Sequence, residues 1–494
     1  MSLGRRLLTP SMADIFFVAL ILWLFVAGAG WQRLVLDGDT GVHIRVGDRV
    51  LSEGAAPKTD TFAYSREGEQ WYAFEWLSGV VFSALHREWG LRGVALASGL
   101  VIAATITILL RFMIWSGANC LIALPLTFSA TSALYLHFLA RPHIFTQLFL
   151  VIAIWMIARD REQQSPAIWL LAPLTALWAN LHAGFFILFA CLGLLALGSI
   201  LEMRWKAASR YSLVGLACLA ASLINPYGAH LHSHLLETMS AGWLRDFSLE
   251  FRSPSFRNEY YLHFMVLLFL GLWVTGRLLE RRHFADTLWI VFLAYCSLVS
   301  VRHVTLFTLA ATPYIALRLT ELLLPWAASQ PENSVARIVE ELGAEKQPQF
   351  RWNSLWVIVF AGMLMLPLPW GQFPTDVSPE LAPAKLVERN AQLLTSSRVF
   401  ASDEWGDYLI YKLYPRQRVF LDGRHNYYGE QLAGEYTELI QGKPRWRELA
   451  AKHRINAMLV NPETALAAQL AIDPAWRLID RDSKALLFTR QETP

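Results

Sequence analysis

The sequence predicts a polytopic α-helical membrane protein of about 11 spans, with a cytoplasmic N-terminus and a small C-terminal extracytoplasmic α/β domain. Three observations support this. The 494 residues are 54% hydrophobic and only 17% charged, and such a composition is too apolar for a soluble globular protein. Hydrophobic runs of membrane length recur from the N-terminus to about residue 370. Twenty Trp residues suit long water–lipid boundaries, where indole rings prefer to lie.

The hydrophobic runs define the predicted spans. The first run follows Arg5 and Arg6 and is too long for a signal-peptide core, so we expect it to remain as a span. Several later runs are short, which limits the count to about eleven. The runs are 13–36, 92–115, 118–138, 143–159, 167–181, 183–201, 210–225, 261–279, 286–301, 304–324 and 353–370.

The placement of Lys and Arg predicts the orientation. With the N-terminus inside, most basic residues fall in inward connections, as the positive-inside rule requires. These residues are Arg159, Arg161, Arg204, Lys206, Arg210, Arg277, Arg281, Arg282, Arg337, Lys346 and Arg351. Three polar regions then lie outside, namely 37–91, 226–260 and everything after about 371. We therefore predict a transmembrane domain over 1–370, with outer loop 37–91, and an extracytoplasmic α/β domain over 371–494.

The outer regions have their own predicted elements. Apolar residues at helical spacing predict two surface helices in the first loop, over 40–52 and 76–89. In the tail, short apolar segments alternate with helical stretches, a βαβ pattern that predicts a largely parallel sheet. The predicted strands are 398–402, 418–423, 455–460 and 484–490.

Ionisable and amide side chains collect at the outward ends of the hydrophobic runs. Such groups are costly near lipid unless they are paired or wet, so they usually mark a site. We therefore expect one polar cavity that opens to the extracytoplasmic face. The side chains are Asp37, Asp39, His43, Glu75, Arg141, His143, Asn180, His182, Asn225, Arg302 and His303.

The carboxylates directly after the first span have two interpretations. Asp before an apolar-periodic run is a good helix N-cap, and a close pair of carboxylates also suits a general base or a metal site. A helix needs only one cap, so Asp39 is the candidate cap and Asp37 is the candidate functional group. Glu75, before the second surface helix, has the same two interpretations.

Basic and amide residues stand at other outward turns. Arg141-Pro142-His143 and Arg302-His303 occupy similar positions, and the donor fork of Arg suits phosphate oxygens. The alternative for Arg141 is contact with a lipid headgroup, and that for His182 is an ordinary interface histidine. Asn225-Pro226-Tyr227-Gly228 is typical of a helix stop.

Other motifs give weaker signals. His230, His232 and His234 have no accompanying metal motif, and no Walker A, GxGxxG or GxSxG sequence is present. Energy from cytoplasmic ATP is therefore not indicated, and the net charge of +3 does not indicate nucleic acid. In the tail, Asp422-Gly423-Arg424 follows a predicted strand and either faces an acceptor or forms a local Asp–Arg pair.

The whole arrangement resembles the GT-C superfamily of membrane glycosyltransferases, and in particular a bacterial branch of multi-pass proteins. The resemblance spans essentially the whole chain. The matching segments are Asp37 and Asp39 in DGDTGVHIRVGDRVL, Glu75-Trp76, RPH at 141–143, the stretch with Trp178, Asn180, His182, Gly184 and Phe185, NPYG at 225–228, RH at 302–303, and EWGDYLIYKLYPRQRVFLDGR.

The resemblance implies transfer of a sugar from a polyprenyl-phosphate carrier to an extracytoplasmic acceptor, which is an envelope glycan, a lipid or a protein. It implies direct inverting displacement, with Asp37 by preference as the general base. Asp39 and Glu75 would orient the acceptor or a divalent cation, Mg²⁺ or Mn²⁺. The implied phosphate ligands are Arg141, His143, Arg302 and His303, and the implied cavity or acceptor residues are His43, Asn180, His182, Tyr227, Asp422 and Arg424. The implied location is a bacterial inner membrane, with the site facing the periplasm and in contact with membrane lipids.

Three alternatives remain open. A non-catalytic transporter or flippase-like envelope protein would share a polar cavity, although it would place polar groups at the middle of the membrane and break its helices there. A polymerase or ligase of lipid-linked glycans would depend on Arg and His more than on Asp37 and Glu75. A structural envelope protein would use its tail to bind partners.

Overall fold

The structure, a computed structural model, describes residues 8–26, 30–350, 354–366, 376–377 and 381–491, and it is mostly helical. The helices in chain order are α1 (Met12–Val26), α2 (Asp39–Glu53), α3 (Trp76–Trp115), α4 (Cys120–Leu134), α5 (His143–Gln163), α6 (Leu171–Leu181), α7 (Phe186–Leu201), α8 (Trp205–Ser222), α9 (Ala229–Ser240), α10 (Trp243–Phe247), α11 (Leu262–Glu280), α12 (Phe284–Val299), α13 (Val304–Ala328), α14 (Val335–Lys346), α15 (Trp356–Met365), α16 (Ala384–Arg389), α17 (Ala391–Thr395), α18 (Asp403–Leu413), α19 (His425–Ile440), α20 (Trp446–Lys452) and α21 (Ala465–Ile472).

Six helical stretches within the described residues are long and apolar enough to cross a membrane. Three shorter apolar helices, Met12–Phe25, Pro166–Leu181 and Phe284–Val299, accompany them. The mostly helical, multi-span character is thus confirmed, while the count of about 11 and the orientation stay predictions. The six stretches are Trp76–Trp115, Cys120–His137, His143–Gln163, Ala183–Leu201, Glu259–Glu280 and Val301–Ala328.

The chain divides into two compact units. The helical unit comprises 1–31, 96–228 and 250–371, and the loop–tail unit comprises 32–95, 229–249 and 372–494. The loop–tail unit therefore gathers most of the three polar regions that the sequence analysis assigns to the outside. The predicted domains, 1–370 and 371–494, stay a prediction.

Several polar side chains of the helical unit are satisfied within or between helices. The hydroxyls of Thr175 and Thr312 each donate to a carbonyl one turn earlier, both at 2.6 Å, so they need no water in an apolar setting. Asp286 on α12 accepts from Tyr314 at 2.8 Å and pairs with Arg161. A buried carboxylate needs such partners because an unpaired charge is strongly disfavoured there.

The loop–tail unit contains a four-stranded sheet in the order β1 (Val399–Phe400), β2 (Ala457–Val460), β4 (Leu486–Arg490) and β3 (Trp476–Arg481). Strands β1 and β2 are parallel, and the other two pairings are antiparallel. The prediction of a largely parallel sheet is therefore wrong. The reason is a hairpin that joins β3 to β4 at Asp482, whose carboxylate accepts from the backbone N–H of Lys484 and of Ala485, both at 2.8 Å.

Residues 418–423 do not form a regular strand, so the prediction of a strand there is also wrong. Val419 makes only isolated bridges, one to Ala63 of the first loop and one to Val399 of β1. The backbone N–H of Val419 donates to the carbonyl of Phe62 at 2.9 Å. The first loop therefore takes part of the backbone pairing that the sequence pattern suggested for the sheet.

The helix predicted over 40–52 forms as α2, and the one predicted over 76–89 forms the first part of α3. Helix α3 breaks at Gly90, whose φ of 62° is readily available only to glycine. Helices α2 and α3 pass very close to each other, since a Cβ atom on Gly47 would lie 1.9 Å from the carbonyl oxygen of Gly79.

Candidate functional site

The structure places the predicted site residues in two groups. The acidic residues and the tail residues belong to the loop–tail unit, namely Asp37, Asp39, His43, Glu75, Asp422 and Arg424. The basic and amide residues belong to the helical unit, namely Arg141, His143, Asn180, His182, Tyr227, Arg302 and His303.

The two aspartates after the first hydrophobic run bracket the start of α2. The Asp37 carboxylate accepts a hydrogen bond of 2.8 Å from the backbone N–H of Asp39, the first residue of the helix. The expectation that Asp39 caps this helix, leaving Asp37 for function alone, is wrong in its assignment of the cap. Asp37 satisfies the helix start, because its side chain reaches an amide that has no acceptor inside the helix.

Asp39 lies beside an aspartate from the tail. A Cβ atom on Gly423 would lie 2.2 Å from Oδ1 of Asp39 and 2.9 Å from Oδ2 of Asp407, so both carboxylates crowd the same point. The backbone N–H of Gly423 donates to Oδ1 of Asp407 at 2.9 Å. A side chain at position 423 would displace these carboxylate groups.

These neighbours control the ionisation of Asp407. Burial, reinforced by the nearby charges of Asp39 and Asp422, raises the pKa of Asp407 well above its ordinary value. Burial and the charges of Asp403 and Asp39 likewise raise the pKa of Glu404. The protonated form is therefore more favoured for Asp407 than for an ordinary aspartate.

Glu75 and His43 face each other near the crossing of α2 and α3. Nε2 of His43 is 3.5 Å from Oε2 of Glu75, and both side chains are partly exposed. The two residues come from different elements, which the close approach of Gly47 and Gly79 brings together. Glu75 is therefore a partly exposed carboxylate of the loop–tail unit.

Arg424 forms a buried ionic network. It donates to Oδ2 of Asp422 and to Oδ1 of Asp60, both at 2.6 Å. Tyr428 also donates to Asp422 at 2.6 Å. Burial would raise the pKa of Asp422, but Arg424 and these hydrogen bonds lower it below its ordinary value. The local Asp–Arg pair, one of the two alternatives for this motif, is present, and acceptor contact by Asp422 and Arg424 stays a prediction.

In the helical unit, one carboxylate joins the two predicted phosphate ligands. Oε1 of Glu250 accepts from Nη1 of Arg141 at 2.5 Å, and Oε2 accepts from Nε of Arg302 at 2.6 Å. Burial would raise the pKa of Glu250, but the charges of Arg141 and Arg302 hold it well below the ordinary value. Arg141 and Arg302 thus lie together in space although 161 positions separate their numbers, as a shared anion site requires.

The imidazoles of the helical unit make local contacts. His143 hydrogen-bonds the carbonyl of His137 at 2.7 Å, and His303 contacts that of Cys296 at 3.2 Å. His182 Nδ1 lies 2.7 Å from the Thr146 hydroxyl and accepts from the N–H of Gly184. These contacts fix how each ring is oriented.

Asn180 lies near the end of α6, and Tyr227 follows the end of α8. The Asn180 side chain donates to the carbonyls of Ala176 and Ile224, each at 2.7 Å, so it ties α6 to the residues after α8. Tyr227 is buried, and its N–H donates to the side chain of Asn225 at 2.8 Å, which is the helix stop expected for this motif. Cavity roles for Asn180 and Tyr227 stay predictions.

Comparison with known proteins identifies the fold. No family model matches the chain, and no curated protein matches it in sequence. The archaeal oligosaccharyltransferase AglB from Archaeoglobus fulgidus, in complex with an inhibitory peptide and a dolichol-phosphate, is similar with a TM-score of 0.60 and 12% identity, over 91% of this chain and 69% of that one. ArnT from Cupriavidus metallidurans, bound to undecaprenyl phosphate, is similar with a TM-score of 0.53 and 14% identity, over 96% of this chain and 97% of that one. The chain has the GT-C fold.

The GT-C fold extends over nearly the whole chain, which confirms the fold that the sequence resemblance implied. Each neighbour was solved with a polyprenyl phosphate, dolichol-phosphate in AglB and undecaprenyl phosphate in ArnT. At 12% and 14% identity, the similarity establishes the fold. The activity of this chain is a separate question, which depends on its own side chains.

A metal ion was left open at Asp37 and Asp39. A third GT-C structure, the Archaeoglobus fulgidus oligosaccharyltransferase in complex with Zn and sulfate, is similar with a TM-score of 0.52 and 12% identity, over 91% of this chain and 68% of that one. Within the part of this chain that the structure describes, no three His, Cys, Asp or Glu side chains are placed to hold a metal ion. Mg²⁺ or Mn²⁺ at Asp37 and Asp39 stays a prediction.

Sequence analysis missed three residues of the GT-C candidate site. Asp407 lies in the segment EWGDYL, whose polar residues on an otherwise apolar helix were a usable signal. Asp60 is fully buried beneath Arg424, and Glu250 lies between Arg141 and Arg302. For Asp60 and Glu250 the signal was weak, because both stand in irregular polar loops where acidic residues are common.

Proposed function

We propose that this protein transfers a sugar from a polyprenyl-phosphate carrier to an extracytoplasmic acceptor, which is an envelope glycan, a lipid or a protein. The observation that carries the proposal is the fold match over 96% of this chain and 97% of ArnT, a protein bound to undecaprenyl phosphate. The proposed location is a bacterial inner membrane, with the site on the periplasmic side.

The helical unit supplies cations that suit the phosphate of the carrier. Arg141 and Arg302 converge on one carboxylate, and the same donors fit the oxygens of a phosphate group. We propose that they hold the carrier phosphate, with His143 and His303 beside them in sequence, and stabilise its charge as the sugar leaves. Asn180, His182 and Tyr227 are the proposed cavity residues of this unit.

The loop–tail unit supplies carboxylates for the acceptor. We propose that Asp37 takes the proton of the acceptor hydroxyl while that oxygen bonds to the anomeric carbon of the sugar. The bond from that carbon to the phosphate oxygen breaks with its electron pair on the oxygen. Because the acceptor attacks from the face opposite the leaving phosphate, the product has the inverted configuration. Asp39 and Glu75 orient the acceptor, with His43 held beside Glu75, and Asp422 and Arg424 extend the proposed acceptor surface.

The test compares two carboxylate variants of the purified protein reconstituted in lipid nanodiscs. We expect Asp37→Asn to lower sugar transfer from polyprenyl-phosphate sugars by about 10²–10⁴-fold, since that is the usual contribution of a general base. Binding of undecaprenyl phosphate by Asp37→Asn remains unchanged. The matched control is Glu53→Gln, at the exposed end of α2, where Glu53 pairs with Arg49 at 2.7 Å.

Two results would contradict this proposal. Full transfer by Asp37→Asn would remove Asp37 from the role of base. Binding of the lipid phosphate without transfer of sugar from any of a panel of pentose and hexose donors would favour the transporter or scaffold alternatives.

A further inference from the structure

Glu250 occupies one hydrogen-bond donor of each of the two arginines that are proposed to bind the carrier phosphate. Its two carboxylate oxygens are divided between them, one on Arg141 at 2.5 Å and the other on Arg302 at 2.6 Å. The bridge therefore uses each oxygen once and holds two separate turns of the helical unit together. A phosphate group offers the same type of acceptor to the same two guanidinium groups.

The backbone around Glu250 is anchored next to Arg302. The carbonyl of Glu250 accepts from the Ser300 hydroxyl at 3.0 Å, and the carbonyl of Arg252 accepts from the N–H of Val301 at 2.9 Å. The guanidinium of Arg302 lies 4.6 Å from the ring centroid of Phe251. The carboxylate is thus delivered to the arginines by a fixed segment, and only its side chain needs to rotate to leave them.

Charge and exposure make an exchange of partners feasible. Two guanidinium groups and one carboxylate leave a net charge of one positive unit, which attracts an anion. The Arg302 side chain is 41% exposed, that of Glu250 is 34% exposed and that of Arg141 is 14% exposed, so a ligand would reach Arg302 first. Water screens the exposed pair of Glu250 with Arg302, so this half of the bridge is the easier one to replace.

We propose that Glu250 is an internal competitor of the carrier phosphate for Arg141 and Arg302. This inference rests on the proposed function and adds regulation to it. Sugar transfer converts a phosphodiester, with one negative charge, into a phosphate monoester, which carries close to two near neutral pH. Two arginines without a competitor would retain that product, and Glu250 returns to them as the product leaves. The same chemistry applies to a free phosphate ion, so the test includes both ligands.

The experiment measures binding of undecaprenyl phosphate to the purified full chain in nanodiscs. Glu250→Gln removes the competing charge and keeps the shape of the side chain. We expect it to bind about tenfold more tightly, which corresponds to a competitor that occupies the arginines about nine-tenths of the time. The matched control is Glu259→Gln in the same loop, where Glu259 is exposed, and its affinity remains that of the wild type. Equal or weaker binding by Glu250→Gln overturns the proposal.

Further variants separate this inference from the proposed function. Glu250→Asp keeps the charge and shortens the reach, so its affinity should fall between those of the wild type and Glu250→Gln, and it provides the test if Glu250→Gln does not fold. Arg302→Gln should weaken binding; if it does not, the phosphate site itself is wrong and the proposed function fails with it. If Arg302→Gln weakens binding but neither Glu250 variant tightens it, only the competitor role is wrong. Tighter binding of inorganic phosphate alone by Glu250→Gln would assign the site to a free ion and overturn the lipid source.

Discussion

Asp407 and Asp422 are both fully or nearly fully buried aspartates of the loop–tail unit, yet their ionisation differs. Asp422 has Arg424 against it, and its pKa is lowered. Asp407 has the acids Asp39 and Asp422 nearby, and its pKa is raised well above the ordinary value. The partner, and not burial alone, therefore decides which carboxyl keeps its proton.

Asp407 makes stability depend on pH. Its pKa is raised in the folded protein, so folding favours the protonated form, and stability falls as the pH rises from the ordinary value of 3.8 towards the folded pKa. We expect Asp407→Asn to flatten this fall and to melt at a higher temperature than the wild type at neutral pH. The amide keeps an oxygen for the N–H of Gly423, and its N–H group replaces the O–H donor of the protonated acid. Melting curves measured at several pH values provide the test.

The control for that prediction is Asp407→Ala. It removes the same charge but leaves the N–H of Gly423 without its carboxylate acceptor, which costs about 1–3 kcal/mol for a buried group. We expect it to melt below Asp407→Asn at every pH. If Asp407→Asn retained the pH dependence of the wild type, Asp407 would not be the titrating group.

Some of the site was predictable from single residues, and some was not. Asp37, Asp39 and Glu75 follow or precede apolar helical runs, and that local pattern was sufficient to select them as candidates. The contact between Asp39 and Asp407 joins residues 368 positions apart, and no local pattern carries that information. The same holds for Glu250, because its position between two arginines depends on how three distant turns pack together.

Secondary structure was predicted well where periodicity alone determines it. Helix α2 has a clear apolar face, and its observed bounds, Asp39–Glu53, differ by one residue at each end from the predicted 40–52. The sheet was predicted less well, because β3 is mostly exposed and has no alternating apolar pattern to reveal it. The hairpin with β4 determines the place of β3 in the sheet. The predicted βαβ pattern included no such hairpin.

The crossing of α2 and α3 depends on two glycines. A methyl group at Gly47 would lie 1.9 Å from the carbonyl oxygen of Gly79, and the helices would have to separate. We expect Gly47→Ala to cost about 1–3 kcal/mol of stability, as overpacking usually does. The separation also moves His43 away from Glu75, so sugar transfer should fall. Melting temperature and transfer rate are the two measurements.

Gly434→Ala is the matched control for this crossing. Gly434 lies exposed in α19, with open space where the methyl group would go. Alanine is favoured over glycine inside a helix by up to about 1 kcal/mol, so this variant should be equal to or slightly more stable than the wild type. If Gly47→Ala and Gly434→Ala lowered the melting temperature equally, the crossing of α2 and α3 would not depend on glycine.

The grouping of 32–95, 229–249 and 372–494 into one compact unit bears on membrane topology. Segments that share a hydrophobic core lie on the same side of the membrane, and the positive-inside rule assigns that side to the exterior. We expect Ala55→Cys and Glu430→Cys, both at exposed positions, to react with a membrane-impermeant thiol reagent on intact cells. Ala344→Cys, in α14, should react only after the membrane is permeabilised.

This labelling requires a background without native cysteines. Cys120, Cys191 and Cys218 are buried and Cys296 is partly exposed, so replacement by Ala or Ser removes any competing signal. Labelling of Ala344→Cys on intact cells, with protection of the other two positions, would reverse the orientation. Labelling of only one of positions 55 and 430 would show that the first loop and the tail do not lie on the same side of the membrane.

The pairing of Asp60 with Arg424 has a consequence for biosynthesis. The two residues are 364 positions apart, and Asp60 is completely buried once the pair has formed. At typical rates of translation, roughly 20–70 s elapse between the synthesis of the first residue and that of the second. During that interval the first loop has already been made, and its acid and aromatic side chains still await their partners. The earliest outer segment of the chain is therefore among the last to fold, and over that interval it depends on the cell to keep it from aggregation and proteolysis.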